Sequence, residues 1–402
     1  MKYCSKCVYP IISATPITLD EKNVCSGCQV NDSKNKIDWD KRWLELKNLT
    51  NNYKNNSYYD ILIPVSGGKD SYFQTYIAVE KLKLKPLLVT YYGNNYTDVG
   101  EENLNNMKNV FNCDHIIFKP AKEVLIKMNR LGFKIQGDMN WHNHCGIMTL
   151  PIQMACKFKI PLILWGEHGQ MDLGGMFSYN DFVEFTAKHR KEFHLRGFEW
   201  FDFVGSPSKS NVDIDESEKL NEKDLIWAKY PSDDEIIELG VRGIYLSNYV
   251  DWDGNKNASL MKKLYGWKEG NISFERTYRT ISNLDDMHEN GIHDYMKFVK
   301  FGYGRTTDHA SKDIRSGIMT RKQAIKEVLN RDHIKSKDLF RWLEYVNMSE
   351  KEFDFIADTF RDNRVWSIKN NLWYKKTLEG KFMSYGKVHL PINMQKKYIK
   401  EF

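Results

Sequence analysis

No apolar run in this chain approaches the ~20 residues that cross a bilayer. The opening residues, MKYCSKCVYP, also lack the apolar stretch of a secretory leader. These two absences predict a cytoplasmic protein with no membrane partner. Internal repeats and low-complexity tracts are missing too. The net charge of +6 and pI near 8.7 come from dispersed basic residues, mostly Lys, with no concentrated basic–aromatic surface for RNA. With 41% hydrophobic and 28% charged residues, the composition is that of an ordinary globular protein. A length of 402 residues exceeds one compact core and implies two or three units. Seven cysteines in a reducing compartment do not make a disulfide framework. Four of them crowd into the first 28 residues, which needs a separate explanation.

Residues 1–35 read as a small cysteine-bearing unit, followed by a short helix near Trp39–Leu49. From Asp60 the pattern alternates. ILIPV, PLLVTYY, HIIFKP, IPLILWG and GIYLSNYV read as strands, and YFQTYIAVEKL, EENLNNMKNVF, AKEVLIKMNRL and GIMTLPIQMACKF as helices. Short apolar strands alternating with helices predict a Rossmann-like α/β domain over 36–254, with a parallel sheet covered on both faces. A polar segment at 205–236 reads as a solvated insertion or, more sharply, as a lid over a pocket. Residues 255–402 read as a mainly helical region that completes the substrate site.

The first motif is Cys4-x-x-Cys7, seventeen residues, then Cys25-x-x-Cys28. That spacing matches a structural zinc template, with two knuckle turns supplying four thiolates and Gly27 easing the second. Metal binding would supply folding energy that a 35-residue unit cannot obtain from burial. An iron–sulfur cluster fits less well, because neither pair sits in a ferredoxin-type run.

The second motif is Ser66-Gly67-Gly68-Lys69-Asp70-Ser71, directly after ILIPV. It is not a Walker A loop, since Asp70 follows Lys69 and Ile63 occupies the place of the first glycine. The physics is shared. Two glycines permit a tight turn with outward amides, a helix N-terminus adds positive potential, and Ser66, Ser71 and Lys69 add donors and charge. A plain helix cap would explain Asp70 or Ser71 alone but not the full set.

This hexapeptide resembles the signature of the PP-loop ATP pyrophosphatases. The resemblance implies that Ser66 to Ser71 hold the pyrophosphate end of ATP through magnesium. It also implies cleavage between the α- and β-phosphates, transfer of AMP to a carbonyl or amide oxygen, and expulsion of AMP by a nitrogen or sulfur nucleophile. Thr90 to Asn94, and Gly166, Glu167 and His168, follow the neighbouring strands and would complete the site. A built-in glutaminase is not expected: position 2 is Lys, and no G-x-C-x-G elbow is present.

CSKCVYPIISATPITLDEKNVCSGCQ, SGGKDS, WGEHG and FVKFGYGRTTDHASKDIRSGIMTR together resemble the N-acetyl sugar amidotransferases, over residue 1 to about 330. Those bacterial surface-polysaccharide and flagellin-glycan enzymes turn an acetamido group into an acetamidino group. The family implies an N-acetyl sugar substrate, such as a nonulosonic acid or a nucleotide- or lipid-linked sugar, and ammonia from separate glutaminase and cyclase-like subunits. It implies ATP, magnesium and structural zinc as cofactors. With that reaction in view, catalysis is expected of Lys69, Asp70, Glu167 (holding magnesium or orienting the sugar amide), Lys300 and Arg305, and ATP binding of the Ser66–Ser71 loop with Gly166 and Arg315.

In the 297–321 block, Gly302 and Gly304 would let a loop approach a ligand, and Arg305, Arg315 and Arg321 suit pyrophosphate or a sugar carboxylate. A solvated basic helix face is the bland reading of those arginines. His168 is divided between a structural and a catalytic role. Trp141 to Ile147 reads as a substrate-facing loop, with metal ligation as the alternative. Cys113 and Cys156 read as core, and Trp165, Trp252 and Tyr303 as packing rather than sugar platforms. A tRNA-modifying sulfurtransferase is the alternative function, but only Cys113, Cys145 and Cys156 remain for sulfur relay.

Overall fold

The computed structural model describes residues 3–15, 17–55, 58–93, 95–205, 210, 212–271, 273, 275–281, 288–376 and 384–399. Asn94, parts of the polar 205–236 segment and residues 282–287 lie outside them. Five parallel strands form the central sheet: β1 (Ile61–Pro64), β2 (Pro86–Tyr91), β3 (Asp114–Phe118), β4 (Leu162–Trp165) and β5 (Arg242–Tyr245). Their spatial order is β3-β2-β1-β4-β5, and every pairing is parallel. The chain runs outward from β1 to β3, then returns past β1 to lay down β4 and β5. The order therefore reverses between β1 and β4, and in open α/β sheets ligands bind at the carboxyl ends of such a pair.

The strands alternate between two cores. Leu62, Leu87, Val89 and Ile163 pack on one face, and Ile61, Ile63, Leu88, Leu162 and Leu164 on the other. This two-sided burial explains why the strand sequences are continuous apolar runs. Helices α1 (Ser26–Lys34), α2 (Trp39–Asn51), α3 (Lys69–Tyr76), α4 (Asp98–Phe111), α5 (Lys122–Gln136) and α6 (Trp141–Phe158) precede or join these strands. α5 and α6 cover the first face, while α2, α3 and α4 cover the second.

The described part of the polar segment keeps an exposed, charged outer side but is anchored in the core. Leu225, Trp227 and Ala228 enter the first core, and the buried Glu218 carboxylate meets Lys134 Nζ at 2.8 Å. After Asp253 the chain is largely helical, as expected, including Asn290–Phe301 and Arg305–Arg315. It also holds a small antiparallel sheet that the sequence reading did not anticipate, formed by β6 (Trp366–Lys369), β7 (Leu372–Lys375) and β8 (Ser384–Lys387). Asn370 and Asn371 join β6 to β7 with φ of 50° and 58°, the two-residue turn that matches strand twist.

Candidate active site

The loop after β1 is fixed before any ligand arrives. Gly67 has φ of +86°, and a Cβ there would lie 2.7 Å from the Leu104 amide nitrogen of α4. The Ser66 amide donates to Ser71 Oγ at 2.9 Å, and Trp267 Nε1 donates to the Gly67 carbonyl at 3.1 Å. Gly68 then caps α3, whose first turn carries Lys69 and Asp70. Lys69 is buried, and its Nζ meets Asp70 Oδ2 at 2.7 Å. Asp70 Oδ1 is buried with no partner among the described residues. An orphaned carboxylate oxygen is costly unless a cation sits on it, so this atom suits a divalent ion.

β4 ends beside this loop. Gly166 has no Cβ where one would fall 2.9 Å from Gln74 Oε1, which lets α3 pack close to the strand end. The Glu167 carboxylate accepts from Lys312 Nζ at 3.0 and 3.2 Å. His168 is structural: its Nδ1 accepts from the Met171 amide at 3.3 Å, and burial pushes its pKa down to about 4. Thr90 lies within β2 rather than after it, and ties strands together by donating to the Val65 carbonyl at 2.7 Å.

Both strand ends open on a cavity of about 330 Å³. Lys69 and Glu167 line it from the sheet side, and Asn143 and His144 from the first turns of α6. Trp141 to Ile147 is therefore helical, not the loop that the sequence reading preferred, with Trp141 and Cys145 turned into the core. The opposite wall is His293 on Asn290–Phe301, with Arg305, His309, Lys312 and Arg315 on Arg305–Arg315. A larger hollow of about 640 Å³ lies elsewhere, lined by Gln153, Cys156 and Tyr230, and contains none of the motif residues.

Arg305 donates to Asp294 Oδ1 from Nε at 3.0 Å and Nη2 at 2.7 Å. Burial would raise the Asp294 carboxyl, but Arg305 and Arg276 hold it below its usual range. Lys300 is outside this wall. Its Nζ donates to the Gln136 carbonyl at 3.4 Å, and burial, aided by Arg196, brings its pKa down to about 7. Gly302 and Gly304 serve protein packing, not ligand approach as the sequence reading had it. A Cβ at Gly302 would meet Val365 Cγ1 at 2.5 Å, and one at Gly304 would meet Asp332 Oδ1 at 2.9 Å. Of the three aromatics singled out, Trp252 reaches the cavity, while Trp165 and Tyr303 are buried in cores. Cys113 is half-buried and donates to the Phe111 carbonyl.

Cys4, Cys7, Cys25 and Cys28 are all buried, and their sulfurs lie within 4.8 Å of one another, so the set can hold one metal ion. The Cys25 amide donates to Cys4 Sγ at 3.2 Å. Gly27 does not ease a turn; it lies in α1, where its missing side chain admits the Arg315 guanidinium. Arg315 faces Cys28 Sγ at 3.4 Å and Cys25 Sγ at 3.7 Å. Four thiolates on a divalent ion leave excess negative charge, and Arg315 is placed to offset it. Arg321 holds the Cys7 and Cys4 carbonyls at 3.2 Å each, and Tyr9 donates to Asp308 at 2.8 Å. The cysteine unit is thereby fastened to the helix that walls the cavity.

His144 reaches the cavity as the substrate-facing reading of Trp141 to Ile147 expects, whereas His293 and Lys312 were missed in the sequence. A helical stripe of Arg305, His309, Lys312 and Ser316, at spacings of four, three and four, is the signal that points His309 and Lys312 to the same wall.

No curated protein matches the chain. Among solved structures, NMN synthetase from Francisella tularensis is similar at 15% identity and a TM-score of 0.28, over 57% of this chain and 96% of its own. The U34-tRNA thiolase NcsA from Methanococcus maripaludis, solved with its [4Fe-4S] cluster, is similar at 13% identity and a TM-score of 0.26, over 80% and 88%. Residues 273–379, which include the whole helical wall of the cavity, match the family described as LPS biosynthesis protein WbpG-like, C-terminal domain, and it is to that family that this part of the chain is similar.

Proposed function

We propose that the chain is an ATP-dependent amidotransferase, forming AMP and pyrophosphate, that converts the acetamido group of an N-acetyl sugar into an acetamidino group during surface-glycan synthesis. The observation that carries this reading is one cavity shared by Lys69 of the Ser66–Ser71 loop and the helical wall of the WbpG-like region. The sugar's amide oxygen attacks the α-phosphorus of ATP, and pyrophosphate leaves against the loop amides, the α3 N-terminus and Lys69. Ammonia then attacks the imidate carbon and AMP departs. An amide oxygen is a weak nucleophile, so positioning and charge neutralisation supply most of the acceleration.

Asp70, through its orphaned Oδ1, is the residue that would hold magnesium, which supplies charge neutralisation at the phosphates. The four cysteines would hold structural zinc, which takes no part in the bond changes and is fastened to Arg315, itself in the cavity wall, and to Arg321. Ammonia comes from separate glutaminase and cyclase-like subunits. A tRNA sulfurtransferase has no supporting observation here, since Cys113, Cys145 and Cys156 are all absent from the cavity wall. The test is pyrophosphate release by the purified protein with MgATP, ammonium and a panel of N-acetylated sugars, against tRNA as the alternative acceptor. Release that requires sugar supports the reading; release that requires tRNA contradicts it.

A further inference from the structure

Opposite Lys69, the cavity ends in a cluster that the adenylylation chemistry does not use. His293 Nδ1 lies 2.9 Å from Asp138 Oδ1, and the described residues give its Nε2 no partner. Asp138 is 2% exposed and also accepts from the Asn140 amide at 3.0 Å. Its other oxygen faces Arg196 Nη1 at 3.6 Å and His144 Nε2 at 3.9 Å. We infer that His293, oriented by Asp138, is the proton carrier of the amidation step. This rests on the amidotransferase reading and assigns the half-reaction that the phosphate loop cannot perform.

The chemistry needs such a group. When the acetamide oxygen takes AMP from ATP, the α–β phosphate bond breaks, pyrophosphate leaves with its electron pair, and the sugar nitrogen gives its proton to solvent water and becomes the C=N nitrogen of an O-adenylyl imidate. Ammonia then forms a C–N bond and carries one proton too many. His293 Nε2 takes that proton and gives it to the sugar nitrogen. The C–O bond breaks, AMP leaves with its electron pair, and an amidinium remains. Of ammonia's three hydrogens, two stay on the new nitrogen and one ends on the sugar nitrogen, so His293 finishes as it began.

The arrangement of charges fits a proton carrier. Around the imidazole stand Asp138 from the α5–α6 turn, His144 from α6, Arg196, and Lys300 and Asp294 from its own helix. Burial would raise Asp138, yet His293, Lys300 and Arg196 hold it well below the usual carboxylate range. A fixed anion on Nδ1–H leaves Nε2 as the basic nitrogen. Burial pushes His144 down to about 4, so it stays neutral beside the dyad. Asp138, His144 and His293 are also spaced closely enough to ligate a metal ion. Arg196 already faces the Asp138 carboxylate, and Lys300, its pKa at about 7, adds partial positive charge, so a divalent cation would be added to a carboxylate that is already compensated. That balance favours a proton over a metal.

The decisive quantity is the ratio of amidine formed to pyrophosphate released, which is near one in the wild type. In His293→Ala the imidate is formed but hydrolysed, and the ratio falls by ~100-fold, the usual worth of a general acid–base group. Free imidazole restores part of it, which a purely structural role does not allow. Asp138→Asn, which keeps the volume, shifts the pH profile of amidine formation. His293→Ala with an undiminished ratio overturns the inference. So does a cobalt(II) absorption band that saturates in the wild type and is lost in His293→Ala, because the cluster is then a metal site. If no N-acetyl sugar drives pyrophosphate release in the wild type, the amidotransferase reading itself falls.

Discussion

Replacing Gly67 with alanine is expected to damage the phosphate loop and the packing of the sheet together. The backbone there has φ of +86°, and a Cβ would meet the Leu104 amide nitrogen at 2.7 Å, its Cα at 2.8 Å and its Cβ at 2.9 Å. Two of those neighbours are backbone atoms of α4, so no rotamer change can relieve the contact. The left-handed conformation costs a non-glycine residue roughly 1–2 kcal/mol. Forcing α4 away adds about 1–3 kcal/mol of overpacking. The combined loss of about 2–5 kcal/mol is a large part of the ~5–15 kcal/mol that holds a domain together. The assay is thermal unfolding with and without MgATP. Gly67→Ala should melt several degrees lower and lose most of the nucleotide-dependent shift. Gly174→Ala is the control, since nothing lies within 4 Å of its Cβ position. A Gly67→Ala protein that melts within ~1 °C of wild type and keeps its nucleotide shift refutes the geometry argued here.

Asp70→Ala should lower sugar-dependent pyrophosphate release by ~100-fold or more, as losing a charge-neutralising group does, while metal content stays unchanged. Parallel loss of metal would show that the loop and the cysteine unit are one folding element. The wild type should carry one zinc per chain by mass spectrometry under native conditions, and Cys4→Ser should lose both zinc and the protease resistance of residues 3–35. Zinc-free protein with that resistance intact contradicts the role given to the cysteines. His142 is fully buried and its pKa is pushed from 6.5 down to about 3 by burial, with His144 adding to the effect. Below pH 6.5 the unfolded chain binds a proton at this position that the folded chain refuses, so its contribution to stability falls as pH drops. Urea midpoints at pH 7 and pH 5 should show a smaller acid loss in His142→Gln than in wild type, and equal losses refute it.

The sheet was legible because burial on both faces writes each strand as a continuous apolar run, and the glycine loop because its chemistry is contiguous in sequence. Cys4 to Cys28 were legible for the same reason: each pair is contiguous in sequence, the first in a short bend and the second at the start of α1. The hairpin at Trp366–Lys375 carries a local signal too, two asparagines between alternating apolar residues. The Asp138–His144–His293 cluster had no such signal. Its members approach because the α5–α6 turn meets the helix Asn290–Phe301, and only tertiary packing brings position 138 to 293. Gly302 and Gly304 misled for a related reason, since a glycine needed by a neighbouring side chain is indistinguishable in sequence from one needed by a ligand.

Isotope transfer tests the central claim most directly. The N-acetyl sugar that supports pyrophosphate release is labelled with ¹⁸O in its acetamido group and turned over with ATP and ammonium. Adenylylation of the amide oxygen predicts that the label appears in the phosphate of AMP, with none in pyrophosphate, and that the sugar gains NH in place of oxygen. Label retained in the sugar, or AMP released without it, would contradict the account.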